Sequence, residues 1–200
     1  MRRRSEAPAR ILEAAIATIE EGGESAVRVH DLAAACGVTG PILYRAFGSR
    51  EGLVVAAQTE RYRRTAIADI DALSEEIDRC VSCDELRTVL SRHVAHILSP
   101  ERTRDRRVRA NIVGSSITRP ALAAEIVAID RRTVGLVGAA LDRARSRSLV
   151  RSDIDTLALA AWVVGQATGR IHVDLAPSDI DAAAWDHIAQ SAVLSMAVND

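Results

Sequence analysis

The stretch from Val27 to Leu53 constrains the fold of this 200-residue chain more than any other. In its first half, apolar residues recur at helical spacing: Val29, Leu32, Ala33 and Cys36. Gly37 follows them, as a glycine often follows the end of a helix. Thr39 then occupies a suitable N-cap position for a second short helix, whose apolar positions are Ile42, Leu43 and Phe47. A short helix, a glycine turn and a second short helix form the layout of a DNA-binding helix-turn-helix.

Along its first quarter the chain resembles the tetracycline-repressor (TetR) family of bacterial transcriptional regulators. The resemblance is carried by many residues in order and spacing: Arg10-Ile11-Leu12, Ala14-Ala15, Gly22 or Gly23, Leu32-Ala33, Gly37-Val38, Leu43-Tyr44, Phe47 and Ser49-Arg50-Glu51 with Leu53. Arg28 departs from the family, which usually has a Ser or Thr cap there. Pro41 and Ile42 also depart, since small or hydroxylated residues are usual at their positions.

Composition and charge exclude several classes of protein. No apolar run approaches the roughly 20 residues that a bilayer span needs, and the N-terminus lacks the apolar segment of a secretory signal. We therefore expect a cytoplasmic protein with no membrane partner. The net charge is −1, so any positive charge that contacts nucleic acid must be local. Residues 1–7 form an arginine-rich arm that either contacts phosphates or is a frayed terminus.

Helical periodicity without convincing strand alternation predicts an all-α fold. We expect a three-helix helix-turn-helix domain over residues 1–52 and a helical effector-binding and dimerisation bundle over 53–200. A long helix is predicted from Leu53 to about Ala72, with a turn after it. Two Ser-Asp-Ile-Asp motifs, in which Ser152 and Ser178 are the expected caps, predict the last two helices.

Seven residues are candidate DNA contacts: Arg28, Thr39, Pro41, Ile42, Tyr44, Arg45 and Arg50. The second helix of such a motif enters the major groove, where Arg45 could bond a guanine edge or a phosphate. The resemblance implies that Tyr44 donates to a phosphate and that Arg50 replaces a phosphate-binding Lys. Pro41 and Ile42 can at most contact thymine methyl groups, whereas Thr39 could both cap its helix and contact a phosphate.

Polar residues within the apolar pattern of the second domain are candidate ligand contacts: His93, His96, Asn111, Trp162, Gln166 and Arg170. Because aromatic residues make up only 2% of the chain, we expect an aliphatic pocket for a small, partly apolar effector and not a pocket lined by stacked aromatic side chains. His93 and His96 share a helix face, but they lack an obvious carboxylate partner, so no metal or cofactor is predicted. The arginine run over 102–109 favours a solvated face, with an anionic ligand as the alternative.

The last two predicted helices are rich in alanine and glycine, and they include Trp162 and Trp185. The resemblance implies that these helices meet a second copy in a four-helix bundle. The alternative is that they form only the core of one chain. We favour a homodimer, because a two-fold protein is the usual partner of a palindromic operator.

These patterns predict a ligand-responsive repressor that binds double-stranded operator DNA and is released by its effector. An alternative is a thiol- or metal-responsive regulator that uses Cys80 and Cys83, which form a lone C-x-x-C motif. A helical enzyme is not expected, because the sequence contains no nucleophile elbow, phosphate-binding loop or closed metal motif.

Overall fold

The computed structural model describes residues 7–67, 70–176 and 179–199, and helices joined by short connections make up most of these ranges. No β-strand occurs among the described residues, although an isolated antiparallel bridge joins Val150 to Val198. The predicted all-α fold, with an N-terminal helix-turn-helix and a C-terminal helical domain, is therefore confirmed. Within the described ranges, no helix has both the length and the apolar character needed to cross a membrane. The arginine-rich arm lies outside them, except for Ala7.

The described residues contain eleven α-helices, numbered here in chain order. They are α1 (Ala7–Gly22), α2 (Val29–Ala35), α3 (Gly40–Phe47), α4 (Arg50–Ile67), α5 (Ile70–Arg79), α6 (Cys83–Leu98), α7 (Thr103–Ser116), α8 (Pro120–Ser146), α9 (Thr156–Gly169), α10 (Ile171–Leu175) and α11 (Ala182–Ala197). Two single turns of 3₁₀ helix cover Glu24–Ala26 and Pro100–Arg102.

The chain divides into two compact units. The N-terminal unit takes the described residues up to Arg63 together with Ser116–Ile126, and the C-terminal unit takes the others. Helices α4 and α8 each contribute residues to both units, so each of these helices is a covalent connection between them.

The core of the N-terminal unit follows the predicted helical periodicity. Ile11, Ala15 and Ile19 are spaced by four residues, so they share one face of α1. The other buried members of this core are Ile16, Val27, Leu32, Leu43, Leu53, Val54 and Ala57. Leu43 and Leu53 are fully buried, so α3 and α4 are both anchored in the same small core as α1.

The turn predicted directly after Ala72 was wrong, because the helical residues continue to Arg79. Helix α4 ends at Ile67, and residues 70–79 form the separate helix α5. Ile70, Leu73 and Ile77 lie on one face of α5 and are buried in the larger core of the C-terminal unit. Their spacing of three and four residues is a helical pattern that extends past Ala72.

The predicted serine cap of α9 was also wrong, because the last Asp of the motif fills that position. Asp155 accepts a hydrogen bond from Ala158 N at 2.9 Å. At α11 the equivalent residue Asp181 accepts from Ala183 N at 2.9 Å. Ser178 lies outside the described residues. An aspartate cap also places negative charge at the positive end of the helix dipole.

Candidate DNA-binding head and effector cavity

The turn between α2 and α3 depends on Gly37. Its φ of +61° lies in the left-handed region, which a residue with a Cβ rarely adopts. The turn is closed by backbone hydrogen bonds from Gly37 N to Ala34 O at 3.0 Å and from Val38 N to Ala33 O at 2.9 Å. Pro41 follows in the first turn of α3, where a missing N–H removes no helical hydrogen bond. The local sequence therefore fixes both the end of α2 and the start of α3.

Helix α3 buries Leu43 and turns its other side to solvent. Thr39, Pro41, Tyr44 and Arg45 are exposed, and half of the Tyr44 surface is accessible. Ile42 is half-buried, whereas Arg28 is exposed at the N-cap position of α2. Thr39 occupies the N-cap position of α3, yet its side chain makes no capping hydrogen bond. Six of the seven candidate DNA contacts thus lie on or beside the outer face of the helix-turn-helix.

The seventh candidate, Arg50, forms contacts within the protein. Its Nε donates to Val27 O at 2.8 Å, and its Nη2 donates to Glu24 O at 2.5 Å. These bonds fasten the turn before α2 to the first residue of α4. Local patterns could not predict this arrangement, because both acceptors are backbone carbonyls more than twenty residues away.

A second arginine of the N-terminal unit was not singled out from the sequence. Arg119, in the turn before α8, places Nη1 2.5 Å from Glu24 Oε2 and Nε 3.1 Å from Glu51 Oε1. The other carboxylate oxygen of Glu24 accepts a hydrogen bond from Gln58 Nε2 at 2.5 Å. Gln58 is 1% exposed, so Glu24 joins a buried residue of α4 to a segment that lies much later in the chain.

The C-terminal unit holds a cavity of about 100 Å³. Its apolar wall includes Ile70, Leu73, Ile97, Val137, Val163 and Val164, while His93, Thr133 and three arginines lie on its polar side. Of the six predicted ligand contacts, His93 lines this cavity. The five others are not among its lining residues: His96, Asn111, Trp162, Gln166 and Arg170. His96 and Asn111 are exposed, and Arg170 is buried elsewhere in the unit.

Arg106 on the polar side of the cavity is buried, contrary to the solvated face expected for the arginine run. Its Nε donates to Asp174 Oδ2 at 2.7 Å, and its Nη2 donates to Asp174 Oδ1 at 3.1 Å. Nη2 also donates to Thr103 Oγ1 at 3.0 Å, and Nη1 donates at 3.0 Å to each of two backbone carbonyls, Ile97 O and Ser99 O. All five N–H donors of this guanidinium are therefore used.

Asp174 balances the buried positive charge of two arginines. Besides Arg106, it accepts a hydrogen bond from Arg170 Nη1 at 2.8 Å, and Arg170 Nε contacts Asp186 Oδ1 at 2.6 Å. Burial alone would raise the pKa of Asp174. The Arg106 hydrogen bond, with the charges of Arg106 and Arg170, outweighs this effect and holds the pKa below its ordinary value.

The two other cavity arginines also have carboxylate partners. Arg102 lies 3.0 Å from Asp105 and Arg109 lies 3.5 Å from Asp130. Thr133 differs from these groups, because its Oγ1 is buried and has no hydrogen-bond partner. The spacing of 102, 106 and 109 places these arginines on one helical face, and this is the signal that sequence reasoning could have used.

The two cysteines of the C-x-x-C motif are free thiols. Cys80 is buried and donates from Sγ to Glu76 O at 3.3 Å, while Cys83 Sγ lies 3.8 Å from Leu149 O. Burial raises the pKa of the Cys80 thiol, and the charge of Glu85 adds to this effect. A raised pKa lowers the fraction of reactive thiolate. Among the described residues, no three His, Cys, Asp or Glu side chains are grouped to hold a metal ion.

Helices α9 and α11 expose apolar and small residues at helical spacing. On α9 these are Leu157, Ala158, Ala161, Trp162 and Gly165, and on α11 they are Ala184 and Ile188. Ile188 is 68% exposed and Leu157 is 55% exposed. Ala189, in contrast, is buried with Val94, Leu98 and Val193 in the core of the same chain. The small residues of α11 are therefore divided between an internal core and an exposed face.

Residues 11–57 match the model of the family described as "Bacterial regulatory proteins, tetR family". These residues include α2, the glycine turn, α3 and the first part of α4. No sequence among the curated proteins matches the chain significantly.

Solved structures resemble the chain along almost its whole length. A protein from Mesorhizobium loti MAFF303099, described as a TetR-family transcriptional regulator, has a TM-score of 0.74 at 14% identity, covering 98% of each chain. A Saccharomonospora viridis transcriptional regulator in complex with choline has a TM-score of 0.68 at 21% identity, covering 98% of this chain and 100% of that one. Bacillus subtilis FadR in complex with stearoyl-CoA has a TM-score of 0.58 at 16% identity, covering 94% and 97%. At these identities the similarity establishes the fold.

Proposed function

We propose that this chain is a DNA-binding transcriptional regulator of the TetR family, a dimeric repressor that a small effector releases from its operator. The observation that carries this proposal is the exposed face of α3, which presents Tyr44 and Arg45 to solvent while Leu43 anchors the helix in the buried core. Members of this family are regulators and generally not enzymes. Because the proposed operator is chromosomal DNA, we place the protein in the bacterial cytoplasm.

The DNA contacts divide into two kinds. Tyr44, Thr39 and Arg28 suit phosphate contacts, which set the register of a protein on the duplex. Arg45 suits a base edge, and Pro41 and Ile42 add apolar contacts to thymine methyl groups. Arg50 holds the turn before α2 and thereby positions Arg28. The proposed DNA-binding domain covers residues 1–52, and residues 53–200 sense the effector and form the dimer.

The exposed faces of α9 and α11 support the dimer. An exposed apolar face on two helices of one chain is most simply covered by the same face of a second copy around a two-fold axis. The two helix-turn-helix units of such a dimer would enter major grooves about 34–36 Å apart, which is one helical turn of DNA. A palindromic operator follows from that symmetry.

The cavity of the C-terminal unit supports an effector site. Choline and stearoyl-CoA are bound by two proteins of similar fold, so this architecture accepts small molecules of different chemistry. An effector that binds more tightly to a conformation whose two helix-turn-helix units are wrongly spaced would shift the population toward that conformation, which does not bind the operator. His93 and Thr133 are the polar contacts that we assign to this site, along with the apolar wall.

The proposal can be tested by selecting operator sequences from a random DNA pool with the purified protein. We expect enrichment of an inverted repeat whose half-sites lie about one helical turn apart. Enrichment of a single unrepeated half-site would contradict the dimer, and no enrichment would contradict sequence-specific binding. Helix α3 would be tested in the same experiment, since Arg45→Ala should change the enriched sequence at one base pair in each half-site.

A thiol- or metal-responsive regulator is the alternative. The burial of Cys80 and its raised pKa weigh against it, since oxidation proceeds through an accessible thiolate. Replacing Cys80 and Cys83 by serine separates the two mechanisms. Loss of release under peroxide or zinc in that variant would favour the alternative.

A further inference from the structure

The unpartnered hydroxyl of Thr133 indicates what the cavity binds, given the proposed effector site. Thr133 is 4% exposed, lines the cavity from α8, and its Oγ1 has no hydrogen-bond partner. A buried hydroxyl without a partner is costly, and a helical threonine can usually bond to the carbonyl one turn earlier. The hydroxyl of Thr133 does not make that bond, so a ligand atom in the cavity would supply the missing partner.

The arginines beside Thr133 do not add an unbalanced charge. Arg106 has no remaining donor, because Asp174, Thr103 and two carbonyls take all five. Arg102 and Arg109 are paired with Asp105 and Asp130. An ionised ligand would have to displace one of these aspartates, or else bring an uncompensated charge into a partly apolar cavity. The polar side therefore disfavours both anions and cations.

Size and lining set the remaining limits. The cavity is smaller than the apolar cavity of about 150 Å³ that accommodates benzene in a well-studied protein. It therefore limits the enclosed part of a ligand to at most about six non-hydrogen atoms, the number in benzene. Eight of the fifteen lining residues are isoleucine, leucine, valine or alanine, so the body of that molecule would be apolar.

From these three observations we propose that the effector is a small, uncharged molecule with an aliphatic body and one hydroxyl or carbonyl group that bonds to Thr133 Oγ1. The inference rests on the proposed function in taking this cavity as the effector site. It goes further by excluding charged effectors and by naming the residue that recognises the polar group.

The preference for an uncharged effector can be tested with three probes that share a five-carbon chain: 1-pentanol, pentanoate and pentylamine, which is protonated at pH 7. Binding to the full-length protein would be measured by calorimetry. We expect 1-pentanol to bind at least about tenfold more tightly than either charged probe, since burying an unpaired charge costs far more than burying a hydroxyl. Equal or tighter binding of pentanoate or pentylamine would overturn the proposed class.

The role of Thr133 can be tested with Thr133→Val, which keeps the side-chain volume and removes the hydroxyl. We expect 1-pentanol to bind about 3–10-fold more weakly, as for one lost hydrogen bond. The unliganded variant should be at least as stable as the parent, because an unpartnered buried hydroxyl has been removed. Unchanged 1-pentanol affinity would overturn the assignment. Ala167→Leu, which fills the cavity from α9, should abolish binding of all three probes, and retained binding would place their site elsewhere.

Operator affinity, measured on the same samples without a probe, keeps the two proposals separate. If the parent protein binds no operator, the proposed function fails, whereas the calorimetric ranking of the probes still decides the ligand class. If the parent protein binds its operator and pentanoate is the tightest of the three probes, the proposed uncharged effector class fails and the proposed function stands.

Discussion

Arg119 Nη1 lies 2.5 Å from Glu24 Oε2, and the same guanidinium reaches Glu51 at the start of α4. Arg119 lies in the turn between α7 and α8, and both of these helices carry residues that line the cavity, among them Arg109 and Thr133. The turn that follows one lining helix and precedes the other is therefore held by the helix-turn-helix unit. If the proposed effector occupies the cavity, α7, α8 and the ion pairs of Arg119 would connect it to the helix-turn-helix.

We predict that Arg119→Ala weakens the coupling between effector and operator. With a typical coupling of about 1–3 kcal/mol, an effector changes operator affinity roughly 5–150-fold. In the variant, we expect the effector to change operator affinity little. Stability should fall by only about 0.5–1 kcal/mol, because the ion pair is partly exposed. The measurement is operator affinity by fluorescence anisotropy with and without an effector. Arg132→Ala, an exposed arginine farther along α8, is the matched control and should respond as the parent does.

The helix-turn-helix gives a second prediction, in which Tyr44→Phe, Arg45→Ala and Arg50→Ala have different effects on DNA binding. Tyr44→Phe should weaken binding to all sequences roughly 3–10-fold, as for one lost hydrogen bond. Arg45→Ala should cost about 1–3 kcal/mol and relax the preference at one base pair. Uniform loss across sequences for Arg45→Ala would reassign that residue to the phosphate backbone.

Arg50→Ala distinguishes the structural contacts of this residue from the role implied by resemblance. A lost phosphate contact lowers the slope of log affinity against log salt by about 0.9. Because the guanidinium bonds to Val27 O and Glu24 O, we expect instead a lower melting temperature with little change in that slope. A slope that falls by about one, at unchanged stability, would restore Arg50 to the phosphate contacts.

A third prediction concerns the exposed face of α9 and α11. Ile188→Asp should yield monomers at micromolar concentration, because a two-fold axis would bury two unpaired carboxylates in one interface. The measurement is molar mass by light scattering. Ile117→Asp is the control, since Ile117 is 83% exposed but belongs to neither helix. A dimeric Ile188→Asp variant would place the interface on another surface.

Much of the fold was predictable because it depends on local pattern. Leu32 and Leu43 were identified from helical spacing as apolar positions of the two short helices, and both are buried. Gly37 was expected to end a helix, and its positive φ does so. The helical residues after Ala72 were missed, although Leu73 and Ile77 continue the apolar spacing that begins at Ile70.

The candidate cavity was less predictable, because its chemistry depends on contacts between distant helices. Arg106 is in an exposed-looking charge run, and only its position against Asp174 makes it buried and fully bonded. Thr133 is an ordinary helical threonine in the sequence, and its unpartnered hydroxyl can be found only from coordinates. His93 was found because an isolated polar residue in an apolar pattern is a local signal.

The last prediction concerns the buried pair of Arg106 and Asp174, whose side chains are 3% and 5% exposed. Asp174→Asn should destabilise the protein by about 3 kcal/mol or more at pH 7, because two buried arginines lose their shared carboxylate. The folded pKa of Asp174 is lowered, so its contribution is present above the unfolded value of about 3.9 and is lost as pH falls through the folded value. The difference between parent and variant, measured by urea denaturation, should therefore stay constant from about pH 7 to 5 and shrink below about pH 4. Asp153→Asn is the control, since its pair with Arg151 is exposed and should contribute little. A difference that is already shrinking between pH 7 and 5 would mean that Asp174 is not held as a carboxylate by these arginines.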